Sequence, residues 1–243
     1  MQLEYLSAWF YCNKMSVNTS KTEVIFFGRK QKVQECKDLP PLKFQNCPID
    51  PKPYVKYLGV TFDEGLTWEK HASNVRQKAY LALNKIKRVS STLNNSTKRL
   101  LINALVYPHV GYCVNTWSNT YSHVLKRFDS LSRQIDRITP MNKPFGSIVE
   151  YSNAVMAFKA VQKISPPYLS KRFVLCRPPP DTPGVVTRAG AENKLRVQRT
   201  RNRFDSRTFL HKATGVWNGL PNEFRQTKSL ITFKSKAKSH FFN

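Results

Sequence analysis

Val55-Lys56-Tyr57-Leu58-Gly59-Val60-Thr61-Phe62-Asp63-Glu64-Gly65-Leu66-Thr67-Trp68-Glu69-Lys70-His71 is the stretch on which the reading of the fold turns. Val55 to Phe62 is rich in β-branched and aromatic residues, which suit a pleated, half-buried surface, so a strand is expected there. Asp63-Glu64-Gly65 is turn chemistry, with glycine free to take a positive φ. Trp68 opens an apolar stripe of helical period. Trp68, Ala72, Val75, Ala79, Leu83 (or Ala82), Ile86 and Val89 share one face, with Lys70, Lys78, Lys85 and Arg88 roughly opposite. The spacing predicts an amphipathic helix of about 24 residues. Mixed strands and helix are expected before this junction, and helices with positive charge after it.

The charge is distributed along the same line. The 243 residues carry 40 Lys and Arg against 15 Asp and Glu, a formal net charge of +25. Residues 1–64 hold a net of only +2, residues 65–140 a net of +9 and residues 159–243 a net of +14. An excess so one-sided favours a polyanionic partner, RNA or DNA first. No apolar run approaches the roughly 18–20 residues of a membrane span. The 5 cysteines are odd in number, widely spaced and without a CxxC pair, which reads as reduced thiols in an intracellular, non-secreted protein. Neither Cys36 with Cys47 nor His109 with Cys113 supplies the four closely paired ligands that a structural zinc site wants.

Outward from the junction, Met1–Asn13 carries Leu3, Leu6 and Phe10 at helical spacing. Lys21–Gly28 reads as a short strand, Arg29–Pro41 as a polar loop, and Leu42–Cys47 as a strand able to pair with Val55–Phe62. Downstream, Asn94 and its neighbours cap a second helix, which Pro108 kinks or breaks. Ser122 opens a third helix that Pro140 ends, and Phe145–Ile164 forms a fourth. Residues 165–205, rich in Pro and Arg, read as extended linker. Leu210, Ala213 and Trp217 restore helical spacing, and Ser229 caps a last helix. The domains expected are therefore 1–64, 65–140, 141–164, 165–205 and 206–243.

Lys56-Tyr57-Leu58-Gly59-Val60, with Asp63, Leu66, Trp68 and His71, resembles the palm-to-thumb junction of reverse transcriptases from LINE-type, jockey-like non-LTR retrotransposons. Three further segments agree, in family order. Trp9, Asn13, Val17-Asn18, Lys21-Thr22-Glu23 and Phe27-Gly28 resemble the stretch after the catalytic Asp-Asp hairpin. Leu105 to His109, with Tyr112 and Trp117, resembles the thumb. Trp217-Asn218-Gly219-Leu220-Pro221, Arg225, Ser229-Leu230, Phe233-Lys234 and Lys236 resemble a C-terminal segment of these polyproteins.

The resemblance implies an α+β fold: an incomplete palm of one helix and a few antiparallel strands, then a mostly helical thumb and C-terminal region. It makes Tyr57, Leu58 and Gly59 a primer-grip-like hairpin and matches Lys21 to a palm lysine. The family's polymerases hold two Mg²⁺ ions on palm aspartates, and two-metal catalysis needs those carboxylates. This chain has no Asp-Asp pair anywhere. A fragment without the catalytic aspartates is expected, with no catalytic residue, no metal and no activity alone. Nucleic-acid binding is expected to survive, because phosphate contacts need only basic groups in place. Lys70, Lys78, Lys85 and Arg88 on the helix, and Arg196, Arg199, Arg201 and Arg203 in the tail, are the candidates. Trp68 and Trp117 sit on apolar faces and are expected to pack rather than stack on bases. An independent nucleic-acid-binding protein and a non-functional relic remain the alternatives.

Overall fold

The computed structural model describes residues 2–40, 42–45, 47–141, 143–176, 192–200 and 205–242. It divides into two compact units, Met1–His71 and Ala72–Asn243. The described part is mixed helix and sheet, mostly helix, with two small antiparallel sheets.

The first unit holds α1 (Gln2–Cys12), α2 (Lys30–Lys37), β1 (Leu42–Phe44), β2 (Cys47–Ile49), β3 (Tyr54–Tyr57) and β4 (Val60–Asp63). The expected pairing of Leu42–Cys47 with Val55–Phe62 does not occur. Each segment folds on itself: β1 pairs with β2, and β3 with β4 in the register Tyr57↔Val60. The reason is local. Leu58 and Gly59 have φ of 45° and 83°, which makes a two-residue turn with both central residues left-handed. Such a turn matches the twist of the flanking strands, and its short loop closes at less entropic cost than a longer one.

Two further expectations fail here. Lys21–Gly28 is not a strand; it follows a 3₁₀ turn over Thr19–Lys21 and keeps a single parallel bridge, Val24 to Pro51. The supposed loop Arg29–Pro41 contains α2, whose Lys, Gln and Glu residues are good helix formers. Val33 anchors α2 by burial.

The junction after β4 is built around Asp63, which is buried. Its Oδ1 accepts the Thr67 N–H at 2.8 Å and its Oδ2 accepts the Trp68 N–H at 2.7 Å. The carboxylate thus serves donors just ahead of a helix whose first-turn N–H groups have no intrahelical acceptor. Gly65 was expected to supply the positive φ, but the left-handed residues are Leu66 at 48° and Trp68 at 63°. Gly65 matters instead for space, since a Cβ there would lie 3.2 Å from Thr67 Cγ2. Trp68 is buried, and its ring meets Phe62 edge-on at 5.2 Å. His71 Nδ1 accepts the Thr61 N–H at 3.1 Å, so the imidazole ties the helix back to β4.

The helix α3 runs Glu69–Val89, 21 residues, and its first turn belongs to the first unit. In the second unit Ala72, Val75, Ala79, Leu83 and Ile86 are buried, as the periodicity predicts, but Val89, the last residue of α3, is exposed. Then come α4 (Asn95–Leu105), α5 (Tyr107–Gly111), α6 (Val114–Trp117), α7 (Ser122–Lys126), α8 (Asp129–Ile138), α9 (Phe145–Val161) and α10 (Pro167–Ser170). Asn94 caps α4 by accepting the Thr97 N–H at 2.8 Å. Pro108 sits in the first turn of α5, where its missing N–H costs nothing. The expected third helix is two: the chain breaks between α7 and α8, and Ser122 is not the cap. Trp117 is fully buried, donates Nε1–H to the Tyr112 carbonyl at 2.9 Å and packs with Phe128 and Phe145.

The last helices are α11 (Phe209–Gly219), α12 (Asn222–Arg225) and α13 (Leu230–Phe242). They close a second core against α9, centred on Phe158, Trp217 and Phe233. The described part of 165–205 is not simply extended linker. It contains α10, and Leu195, bridged to Leu175, is buried in this core. Trp217 donates Nε1–H to the Asn193 carbonyl at 2.9 Å. The Asn218 side chain accepts the Leu195 N–H at 2.8 Å and donates to its carbonyl at 2.9 Å. Buried Arg225 donates to the carbonyls of Glu192, Asn218 and Leu220. Near the C-terminal end of α13, Lys143 donates to Asn103 at 3.0 Å and lies over the rings of Tyr107 and Phe242. Burial, and the Lys238 charge after it, push the Lys143 amine below its ordinary value. Burial, and the Asp136 charge after it, push the Tyr107 phenol up.

Asp63→Ala strands the Thr67 and Trp68 N–H groups. Urea unfolding is expected to show a loss of about 1–3 kcal/mol, and Asp63→Asn, which keeps an acceptor oxygen, a smaller one. Tyr107 should show in the alkaline limb. Its folded-state value lies above that of the unfolded chain, so its stabilisation is complete below about pH 10 and falls away above it. Lys143 works in the opposite sense, its burial penalty easing as pH rises from its lowered value toward about 10.4. Comparing Tyr107→Phe with wild type between about pH 9 and 11 isolates the phenol; the variant should lose less stability over that interval.

Candidate nucleic-acid interface

A helix turns 100° per residue, so Lys78, Lys85 and Arg88 fall within an arc of about 80° on α3, opposite its buried stripe. All three are exposed in the second unit. Among the described residues no carboxylate forms an ion pair with any of them. Lys70, in the first turn of α3, is exposed within the first unit. Lys87, which the sequence reading did not single out, is also exposed; the helical period sets it about 100° or more from the other three, off their face. Leu81, more than half exposed, lies amid the three cations, as an apolar contact among charges.

Arg196 and Arg199 are also exposed, on the segment that Leu195 anchors. The Arg196 N–H donates to the Val174 carbonyl at 2.8 Å, which fixes the backbone at that point. Arg201 and Arg203 lie outside the described residues. Other cations are drawn inward and serve the fold. Arg225 and Lys143 do so as described above. Lys212 donates to the Ser118 carbonyl at 2.8 Å, and its amine is lowered by burial and then by Arg207. Arg207 lies 4.0 Å over the Tyr121 ring.

In the first unit the charges largely cancel in pairs. Lys37 meets Glu64, Lys52 meets Glu23 and Lys32 meets Glu35, each at 2.6 Å. Lys21 ends the 3₁₀ turn and is exposed. Tyr57, Leu58 and Gly59 form the exposed tip of the β3–β4 hairpin, with Tyr57 63% and Leu58 72% exposed.

The Mg²⁺ pair that the resemblance implies does not fit the residues present. Asp63 is committed to the two backbone donors ahead of α3, while Asp38 and Asp50 are exposed and separate. Among the described residues no three His, Cys, Asp or Glu side chains gather as a metal site.

No family model and no solved structure matches the chain. Among the described residues, no helix is long and apolar enough to cross a membrane. Over 135 residues the chain is 24% identical to the probable RNA-directed DNA polymerase from transposon X-element of Drosophila melanogaster. That match takes in 54% of this chain and 14% of the relative, so the chain spans a small part of that protein's length. The similarity relates the chain, distantly, to a transposon-encoded RNA-directed DNA polymerase.

Proposed function

We propose that this chain is the end of the palm, the thumb and the C-terminal region of a LINE-type, jockey-like reverse transcriptase. In this reading it holds RNA or DNA through basic surfaces and does not polymerise alone. One observation carries the binding part: the outer face of α3 presents Lys78, Lys85 and Arg88 to solvent, and among the described residues no carboxylate pairs with them, whereas Lys212 and Arg225 of the same unit are spent inside the fold. Cations clustered on one helix face without carboxylates suit phosphates. The hairpin tip of Tyr57 and Leu58 takes the place of a primer grip, and Lys21 that of the palm lysine. The distant similarity to the transposon polymerase and the order of the matching motifs support the assignment.

The salt dependence of binding tests the interface. The affinity of the protein for duplex and single-stranded oligonucleotides should fall linearly on a log–log plot against salt. Replacing Lys78, Lys85 and Arg88 together by Ala should flatten that slope by roughly 2–3. A triple variant with an unchanged slope would remove α3 from the interface. For the catalytic part, purified protein given Mg²⁺, a primed template and nucleotides is expected to incorporate nothing. Robust extension would overturn the inactive reading.

A further inference from the structure

Behind the C-terminal end of α9 the second unit holds a cavity of about 610 Å³. Lys163, Ser165, Ser170 and Lys171 line it, over an apolar floor that includes Val161 and Phe173, and none of its lining residues is acidic. Both lysines are exposed. The hydroxyls of Ser165 and Ser170 lie 2.9 Å apart, and Ser170 Oγ is also 3.1 Å from the Ser165 carbonyl.

A second observation concerns Lys163 itself. The Ile164 N–H bonds the Lys159 carbonyl at 2.8 Å and the Lys163 N–H bonds the Ala160 carbonyl at 3.2 Å. This paired closure of a helix end places Lys163 in the left-handed position, at φ 57°, where glycine is the usual occupant because a Cβ is strained there.

We infer that this cavity holds one nucleotide of a single strand, its phosphate between Lys163 and Lys171 and its base on the apolar floor. The inference rests on the reading of the chain as a nucleic-acid binder but uses a site apart from α3. Two cations with no acidic lining residue suit a phosphate. The apolar floor adds what a bare anion site lacks, a surface for a base, and a base reaches it only when unpaired. The volume lies within the range of small-molecule sites.

The test uses the full chain and a labelled oligothymidylate of about eight nucleotides, with a duplex of the same length beside it. Lys163→Gly and Lys171→Ala should each weaken single-strand binding roughly three- to tenfold and change duplex binding less than twofold. Lys163→Gly should also leave the thermal midpoint unchanged or raise it, since glycine relieves the left-handed strain. Loss of affinity in a protein that is no less stable separates a ligand contact from a structural role. Thymidine monophosphate should displace the single strand better than inorganic phosphate does. Equal displacement by the two would reduce the cavity to an anion site and overturn the inference. Wild-type affinity in both variants, with the α3 triple variant still impaired, would sink the cavity alone. No binding by wild type to either nucleic acid would sink both readings.

Discussion

The Asp63 carboxylate, shared between the Thr67 and Trp68 N–H groups, is the constraint on which the first unit depends. It satisfies donors that would otherwise be stranded where β4 gives way to α3. It also holds Leu66 and Trp68 in left-handed conformations that cost roughly 1–2 kcal/mol each. That backbone path lets the Trp68 ring reach Phe62, and one turn on, His71 returns to β4 through the Thr61 N–H. Asp63, Trp68 and His71 are among the residues that carry the resemblance to the palm-to-thumb junction. Each has a structural task at this corner, and Asp63 in particular is spent on hydrogen bonds to the backbone.

In the second unit a comparable economy governs the cations. Buried Arg225 is met by three main-chain carbonyls and half-buried Lys143 by an amide oxygen and two aromatic faces. Burying charge is tolerated only on such terms. The cations left on α3 and beside Leu195 face water, where their cost is small and their field acts outward. Net charge alone therefore overstates the surface available to a polyanion, and the exposed subset is the meaningful quantity.

Much of this was legible in the sequence because it depends on period. The α3 stripe, α1, the Asn94 cap and the burial of Trp68 and Trp117 follow from side-chain spacing and type. What was not legible depends on competition between local and distant closure. Leu42–Cys47 and Val55–Phe62 look like partners, but left-handed Leu58 and Gly59 let the second segment close on itself. The α2 helix hides in a polar stretch because only Val33 is buried. Left-handed Leu66, Trp68 and Lys163 lie where sequence rules look for glycine. Lys163 and Lys171 escaped notice because their common cavity forms only when α9 and the chain through α10 fold together.

Trp217, Asn218 and Arg225 hold residues 192–195 mainly by main-chain atoms, to which the Glu192 carboxylate, 3.6 Å from Arg225, adds an ion pair and Leu195 a side chain in the core. The holding residues are therefore tied to their chemical identity, and those they hold are constrained less, by the charge of Glu192 and the left-handed φ of 51° at Asn193. Drift at Asn193 to a residue that accepts that φ would leave its carbonyl bond to Trp217 in place, whereas a change at Arg225 would release several contacts at once. Sequence comparison should accordingly detect the clasp more readily than the stretch in its grip.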